Sequence, residues 1–191
     1  MMLKSIAEIG LLPLTFIALS ACASSADPIP DDVKSLVMTI NERLEIADLV
    51  ALTKWDSGQP VQDNDREVQV IATAQRQASS HGVSQDDAAL LMAAQIEANK
   101  LVQYGLLANW HAAKKAPDVP RPDLKNQVRP RLDELQSQLL QQYARFSPYR
   151  SDPACSDWLN QLRRALARDK LHELALIRAT GELCKGAAPG A

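Results

Sequence analysis

The stretch VKSLVMTINERLEIADLVALTKWDSGQPVQDNDRE, residues 33–67, decides how the chain is read. Its apolar positions Leu36, Val37, Ile40, Leu44, Ala47, Val50 and Ala51 recur at i, i+3, i+4 spacing, the stripe of a core-facing helix. Arg43 and Lys54 lie on or beside that stripe. About three turns separate them, so they project from nearly the same side roughly 16 Å apart along the axis. Only small Ala47 and Val50 stand between. A lone cation on a core face is costly unless it is paired or reaches water, so two of them around small side chains point to a pocket for an anion. The bland alternative is that both border the core and reach solvent. Just beyond, Asp63, Arg66 and Glu67 form a D-x-x-R-E cluster that opens the next helix and shares one face.

Working outward, the pattern is helical almost throughout, without a useful period-2 segment. The first helix is expected over residues 31–54, with Asp31 and Asp32 at its positive end. Gly58 and Pro60 break it. A second helix starts near Asp63 or Asn64 and stops around His81 and Gly82, where glycine can take the left-handed cap conformation. Ser84 caps a third, with Asp87 as its capping-box partner, continuing to about Trp110. Residues 113–122 carry three prolines and read as a surface linker. The fourth helix carries Leu132, Leu135, Leu139, Leu140 and Tyr143 and ends before Ser147 and Pro148, with Pro130 tolerable only near its start or at a kink.

Residues 1–26 read as a processing segment. Lys4 supplies a minimal basic region, and residues 9–19 an apolar core of signal-peptide length, too short to span a bilayer. Leu19-Ser20-Ala21-Cys22 resembles a bacterial lipobox, in which Cys22 is lipidated and anchors the chain to a membrane. The competing reading is simple cleavage after Ala23 or Ala26. Either predicts an exported protein, periplasmic or secreted, whose single domain occupies residues 27–185 and is followed by a frayed tail, 186–191.

Composition narrows the function. A net charge of −2 and a pI near 5.9 argue against non-specific nucleic-acid binding. No C-x-x-C or His-rich spacing suggests a metal, and His81, His111 and His172 read as ordinary surface or helix-end residues. With Cys22 set aside, Cys155 and Cys184 are an even pair in an oxidising compartment, where a disulfide is the default. A straight helix between them would span about 43 Å, whereas a disulfide needs α-carbons within about 7 Å. If the bond forms, the helix must therefore turn back, at Arg168-Asp169-Lys170, as a hairpin clasped at its open end.

The order and spacing of Arg43, Lys54, Asp63, Arg66, Glu67 and Gln103 resemble the active-site pattern of the all-helical, AroQ-type chorismate mutases. The wording around Glu42-Arg43-Leu44 and Lys54-Trp55 is most similar to their secreted gamma subclass. The likeness runs from residue 35 to the C-terminus, strongest over 43–110 and weak after 117. It implies an all-α, single-domain bundle of about six helices with a clasped C-terminal hairpin, and the same Cys155–Cys184 bond. It also implies a homodimer with each site inside one protomer, no cofactor, and rearrangement of the dianion chorismate to prephenate. By the resemblance, Arg43 clamps a carboxylate, Lys54 reaches a carboxylate and the ether oxygen, and Gln103 is the second donor to that oxygen. Glu67 accepts from the ring hydroxyl, Arg66 binds near it, and Asp63 contributes from the helix start. Asn99 replaces the small hydroxyl residue that the family often has near a substrate carboxylate. Arg129 is the expected second carboxylate-binding arginine, with Arg131 the alternative.

Each position has a plainer counterpart. Asp63 could only cap its helix, Glu67 could close a capping box with Asn64, and Arg66 could be half of a solvated ion pair. Gln95, Asn99 and Gln103, one turn apart, could be a polar seam in a bundle. The competing function built on that seam is a non-enzymatic helical lipoprotein, an adaptor that binds a partner helix.

Overall fold

The computed structural model describes residues 28–185, so the export segment read over 1–26, Cys22 included, and the tail 186–191 lie outside the described residues. Helix α1, Asp31–Ser57, forms because its apolar stripe is continuous. Leu36, Val37, Ile40, Leu44, Ala47 and Ala51 are all essentially inaccessible to solvent. It starts after Pro30 and stops at Gly58, which takes a left-handed φ of 67° and donates its N–H to the Lys54 carbonyl. The helix thus runs one turn past its expected end.

Helix α2, Asn64–Ala78, is capped by Asp63, whose Oδ1 accepts from the Arg66 N–H at 3.1 Å. A 3₁₀ turn, Ser79–His81, carries it to Gly82 at a φ of 72°. Helix α3, Gln85–Ala113, is capped by Ser84 as expected: its Oγ accepts from the Asp87 N–H at 3.0 Å, while the Asp87 carboxylate accepts from the Ser84 hydroxyl at 2.8 Å rather than from its backbone N–H. It ends at Ala113, three residues beyond Trp110, and is capped by Lys114, which adopts the left-handed region at φ 52°. The proline-rich connection follows. Asp123 then caps one wide turn, Leu124–Val128, that leads directly into helix α4, Arg129–Phe146. Pro130 sits in the first turn of α4, immediately after the wide turn.

The C-terminal segment breaks where the cysteine pair requires it to. Helix α5, Cys155–Leu166, and helix α6, Lys170–Thr180, form a hairpin, and the Cys155–Cys184 disulfide closes it with α-carbons 6.0 Å apart. The six helices make a bundle with no strand among the described residues. α3 is the central element, packed against α1, α2 and α6, while α4 lies along α1. Phe146, Leu36, Ile40, Leu44, Met92, Leu139, Leu140, Leu159 and Leu176 fill the core.

One expectation is corrected by this packing. His172 does lie at a helix start, yet it is 2% exposed. Its Nδ1 is 2.8 Å from Asp169 Oδ1, and its Nε2 is 3.1 Å from Asp48 Oδ1 on α1. Turning the chain back at residues 167–169 drives the first turn of α6 onto α1, so a histidine that looks peripheral in the sequence becomes buried between two carboxylates.

Candidate active site

Helices α1 to α4 and the turn before α4 enclose a cavity of about 200 Å³. Eight residues singled out in the sequence line it together: Arg43, Lys54, Asp63, Arg66, Glu67, Asn99, Gln103 and Arg129. The stripe on α1 explains the first two, since helical geometry sends both cations toward the groove between α3 and α4. Packing fixes the far end of α1, where Trp55 meets Trp110 of α3 edge-on at 6.1 Å and His111 at 4.7 Å between ring centroids.

Arg43 is 7% exposed. It donates from one terminal nitrogen to the Leu132 carbonyl at 3.0 Å, while its Nε is buried without a partner in the protein. Burial lowers its pKa to about 10, against the opposing pull of Asp133. Lys54 donates to the Pro60 and Val61 carbonyls of the loop before α2. Burial again is the main reason that its pKa lies below the ordinary lysine value; Arg129 adds to it, and Asp63 and Glu67 oppose it.

The plainer roles are present as well. Asp63 caps α2, and Arg66 lies 3.6 Å from Asp133 in a half-exposed pair. Glu67 does not close a box with Asn64 in the hydrogen bonds observed; it receives Lys100 at 3.1 Å. The polar seam of α3 divides. Gln95 donates to the Ala179 carbonyl of α6 at 2.9 Å, away from the cavity, whereas Asn99 and Gln103 face it. Gln103 Nε2 donates to Asn99 Oδ1 at 2.6 Å, and Gln103 Oε1 is buried without a partner. Leaving a buried polar atom unpaired costs about 1–3 kcal/mol; Gln95 Oε1 and Gln142 Oε1, outside the cavity, are unpaired as well. Arg129 lines the cavity, but Arg131 does not: it turns outward to Glu42, 3.1 Å from its Nε, and to Glu134.

Sequence reasoning passed over Lys100, Asp133 and Gln136, which also line the cavity. Lys100 bridges Glu67 and Glu97, the latter at 2.7 Å, and these bonds raise its pKa although burial, the largest single influence, acts to lower it. A signal existed for Lys100, one residue after Asn99 and three before Gln103. Asp133 and Gln136 sit on α4, whose register toward the cavity depends on the turn before it. The lining carries five cations and three carboxylates, a net charge of +2. Val50, Val61, Val70, Ile96, Leu124, Val128 and Leu132 supply apolar walls. Among the described residues no cluster could hold a metal ion. The arrangement suits a compact dianion with an apolar body, which can be oriented by cations and contacted by an amide.

Comparison with known proteins gives the family. The model of chorismate mutase type II matches residues 34–104. The secreted chorismate mutase of Mycolicibacterium smegmatis is 31% identical over 181 residues, covering 90% of this chain and 99% of that protein. The one from Mycobacterium tuberculosis is 28% identical over 191 residues, covering 98% and 95%. The crystal structure of chorismate mutase from Burkholderia phymatum superposes with a TM-score of 0.77 at 42% identity, covering 81% of this chain and 97% of that one.

Proposed function

Because the chain belongs to the chorismate mutase family, we propose that the α1–α4 cavity is where it converts chorismate to prephenate. The protein is an exported enzyme of this family, an isomerase. The reaction is a unimolecular [3,3] shift in which C–O bond breaking runs ahead of C–C bond making, so it needs neither nucleophile nor proton transfer. What a protein can contribute is a cavity that holds the folded conformer and donors aimed at the ether oxygen, where negative charge grows.

The observation that carries this reading is the convergence of the eight sequence-derived residues on one cavity of charge +2, equal and opposite to the substrate's. Arg43, whose Nε has no partner, clamps one carboxylate as a planar donor. Arg129 takes the other. Lys54 leaves its loop carbonyls for a carboxylate and the ether oxygen, and Gln103 is the second donor to that oxygen. Glu67, held by Lys100, accepts from the ring hydroxyl, with Arg66 and Asp63 beside it and Asn99 at the back of the pocket. No step requires a cofactor. The adaptor reading has no comparable support, since a helix-binding seam does not call for a buried arginine and four further cations converging on one cavity.

Residues 1–26 would direct export, supported by the secreted relatives; attachment through a lipid on Cys22 and assembly as a homodimer complete the proposal. The deciding experiment follows chorismate absorbance with the purified chain from residue 27 onward. Prompt loss is expected, and Lys54→Ala should lower kcat/KM by a factor on the order of 10² or more. Absence of turnover at micromolar protein, or near-wild-type rates in Lys54→Ala, would remove the assignment.

A further inference from the structure

The geometry points to Asn99 as a positioning residue that locks the amide of Gln103 with its nitrogen, rather than its oxygen, available to the reacting ether; this rests on the chorismate mutase reading of the cavity. An amide side chain has two ends of similar shape and opposite polarity, and its orientation must be inferred from what it touches. Here the inference has a fixed starting point. Asn99 Nδ2 lies 3.3 Å from the backbone carbonyl oxygen of Arg43 on α1. That oxygen can only accept, so Asn99 must present its nitrogen to α1 and its oxygen to the other side. On the other side, one turn along α3, Gln103 lies at 2.6 Å. Gln103 must then present Nε2, because the flipped amide would set two oxygens against each other.

The polarity of a main-chain group on α1 is thus relayed through two side chains to the amide that lines the cavity. The arrangement persists although it leaves Gln103 Oε1 buried and unpartnered. One amide proton is taken by Asn99, and the second remains for a substrate oxygen. Without the lock, the amide is free to rotate its carbonyl toward the position where negative charge develops, which opposes the reaction. Asn99 therefore acts on kcat through Gln103, and a direct grip on a substrate carboxylate is not its main role.

The test is a double-mutant cycle on the active enzyme, with kcat and KM measured separately for wild type, Asn99→Leu, Gln103→Met and the pair. Asn99→Leu should lower kcat by about tenfold or more with little change in KM, and in the Gln103→Met background it should change kcat by less than about twofold. A rise in KM of similar size in both backgrounds would mean that Asn99 contacts substrate, and equal kcat losses in both would mean a merely structural role; either overturns the proposal while leaving the enzyme assignment intact. Gln103→Met with wild-type kcat overturns it too, since there would be nothing to position. A wild-type protein that leaves chorismate unchanged defeats the underlying reading and this proposal together. A second measurement needs no variant: in ¹⁵N-labelled wild type, one proton of the Gln103 side-chain amide should be shifted downfield and exchange slowly without ligand. Two equivalent, fast-exchanging protons would refute the lock.

Discussion

Burial lowers the pKa of Arg43 to about 10, below the ordinary arginine range, so the native state holds that proton less tightly than the unfolded chain does. Below pH about 10 both states carry the charge, and the buried cation works against folding, a cost that fades only as pH rises past about 10 toward the ordinary arginine range. Arg43→Met keeps the stem and drops the charge. It should raise Tm by several degrees, at about 2–4 °C per kcal/mol for a chain of this size, while lowering kcat/KM by a factor on the order of 10² or more. Thermal melting beside chorismate turnover checks both; a lower Tm would mean that the bond to Leu132 outweighs desolvation. Gln103 gives a pH signature instead. An amide donates at any ordinary pH, so wild-type activity should be nearly flat from about pH 5 to 8, where Lys and Arg stay charged. Gln103→Glu places a carboxylate against the developing charge, and should lose on the order of 10² or more in kcat at pH about 7.5, recovering as pH falls and the acid regains its proton. Parallel pH profiles for the two proteins would show that residue 103 does not touch the reacting oxygen.

Among the elements, α1 to α4 all contribute lining residues to the site, and the α5–α6 hairpin carries none. The hairpin is clasped by Cys155–Cys184 and pinned to α1 through Asp48, His172 and Arg168. It packs on α3 along the face opposite the cavity, where Gly105 leaves room for Leu171: a Cβ there would come within 2.6 Å of the leucine methyl. Closing a loop of this length contributes roughly 3 to 4 kcal/mol in the chain-entropy model. Replacing both cysteines by serine should therefore lower Tm by about 10 °C and leave kcat/KM at lower temperature near that of the parent. Calorimetry with parallel kinetics decides it; loss of turnover in a still-folded variant would show that the hairpin shapes the cavity through α3.

At the scale of the whole molecule, the chain is net −2 while its cavity is net +2, so the carboxylates that outnumber its cations lie elsewhere on it. That separation keeps the protein acidic without weakening its attraction for an anionic ligand. Export sets a further test. If Cys22 carries a lipid, the precursor expressed in a bacterium should move from the membrane to the soluble fraction on Cys22→Ser, and unchanged fractionation would favour simple cleavage.

The sequence by itself determined the helices, because caps, prolines, glycines and apolar periodicity act over a few residues. Asp63, Ser84, Gly58, Gly82 and Pro130 all stand where local rules place them. It also determined the residues of the site that share a helix face, since i, i+3, i+4 spacing is a property of one element. Tertiary structure alone set which of Arg129 and Arg131, two residues apart, lines the cavity and which meets Glu42, because that depends on the turn before α4. It likewise brought Asp133 and Gln136 into the lining and buried His172 between α6 and α1. Those outcomes depend on how separate helices cross, and crossing is fixed by side chains far apart in the chain, which no local pattern encodes.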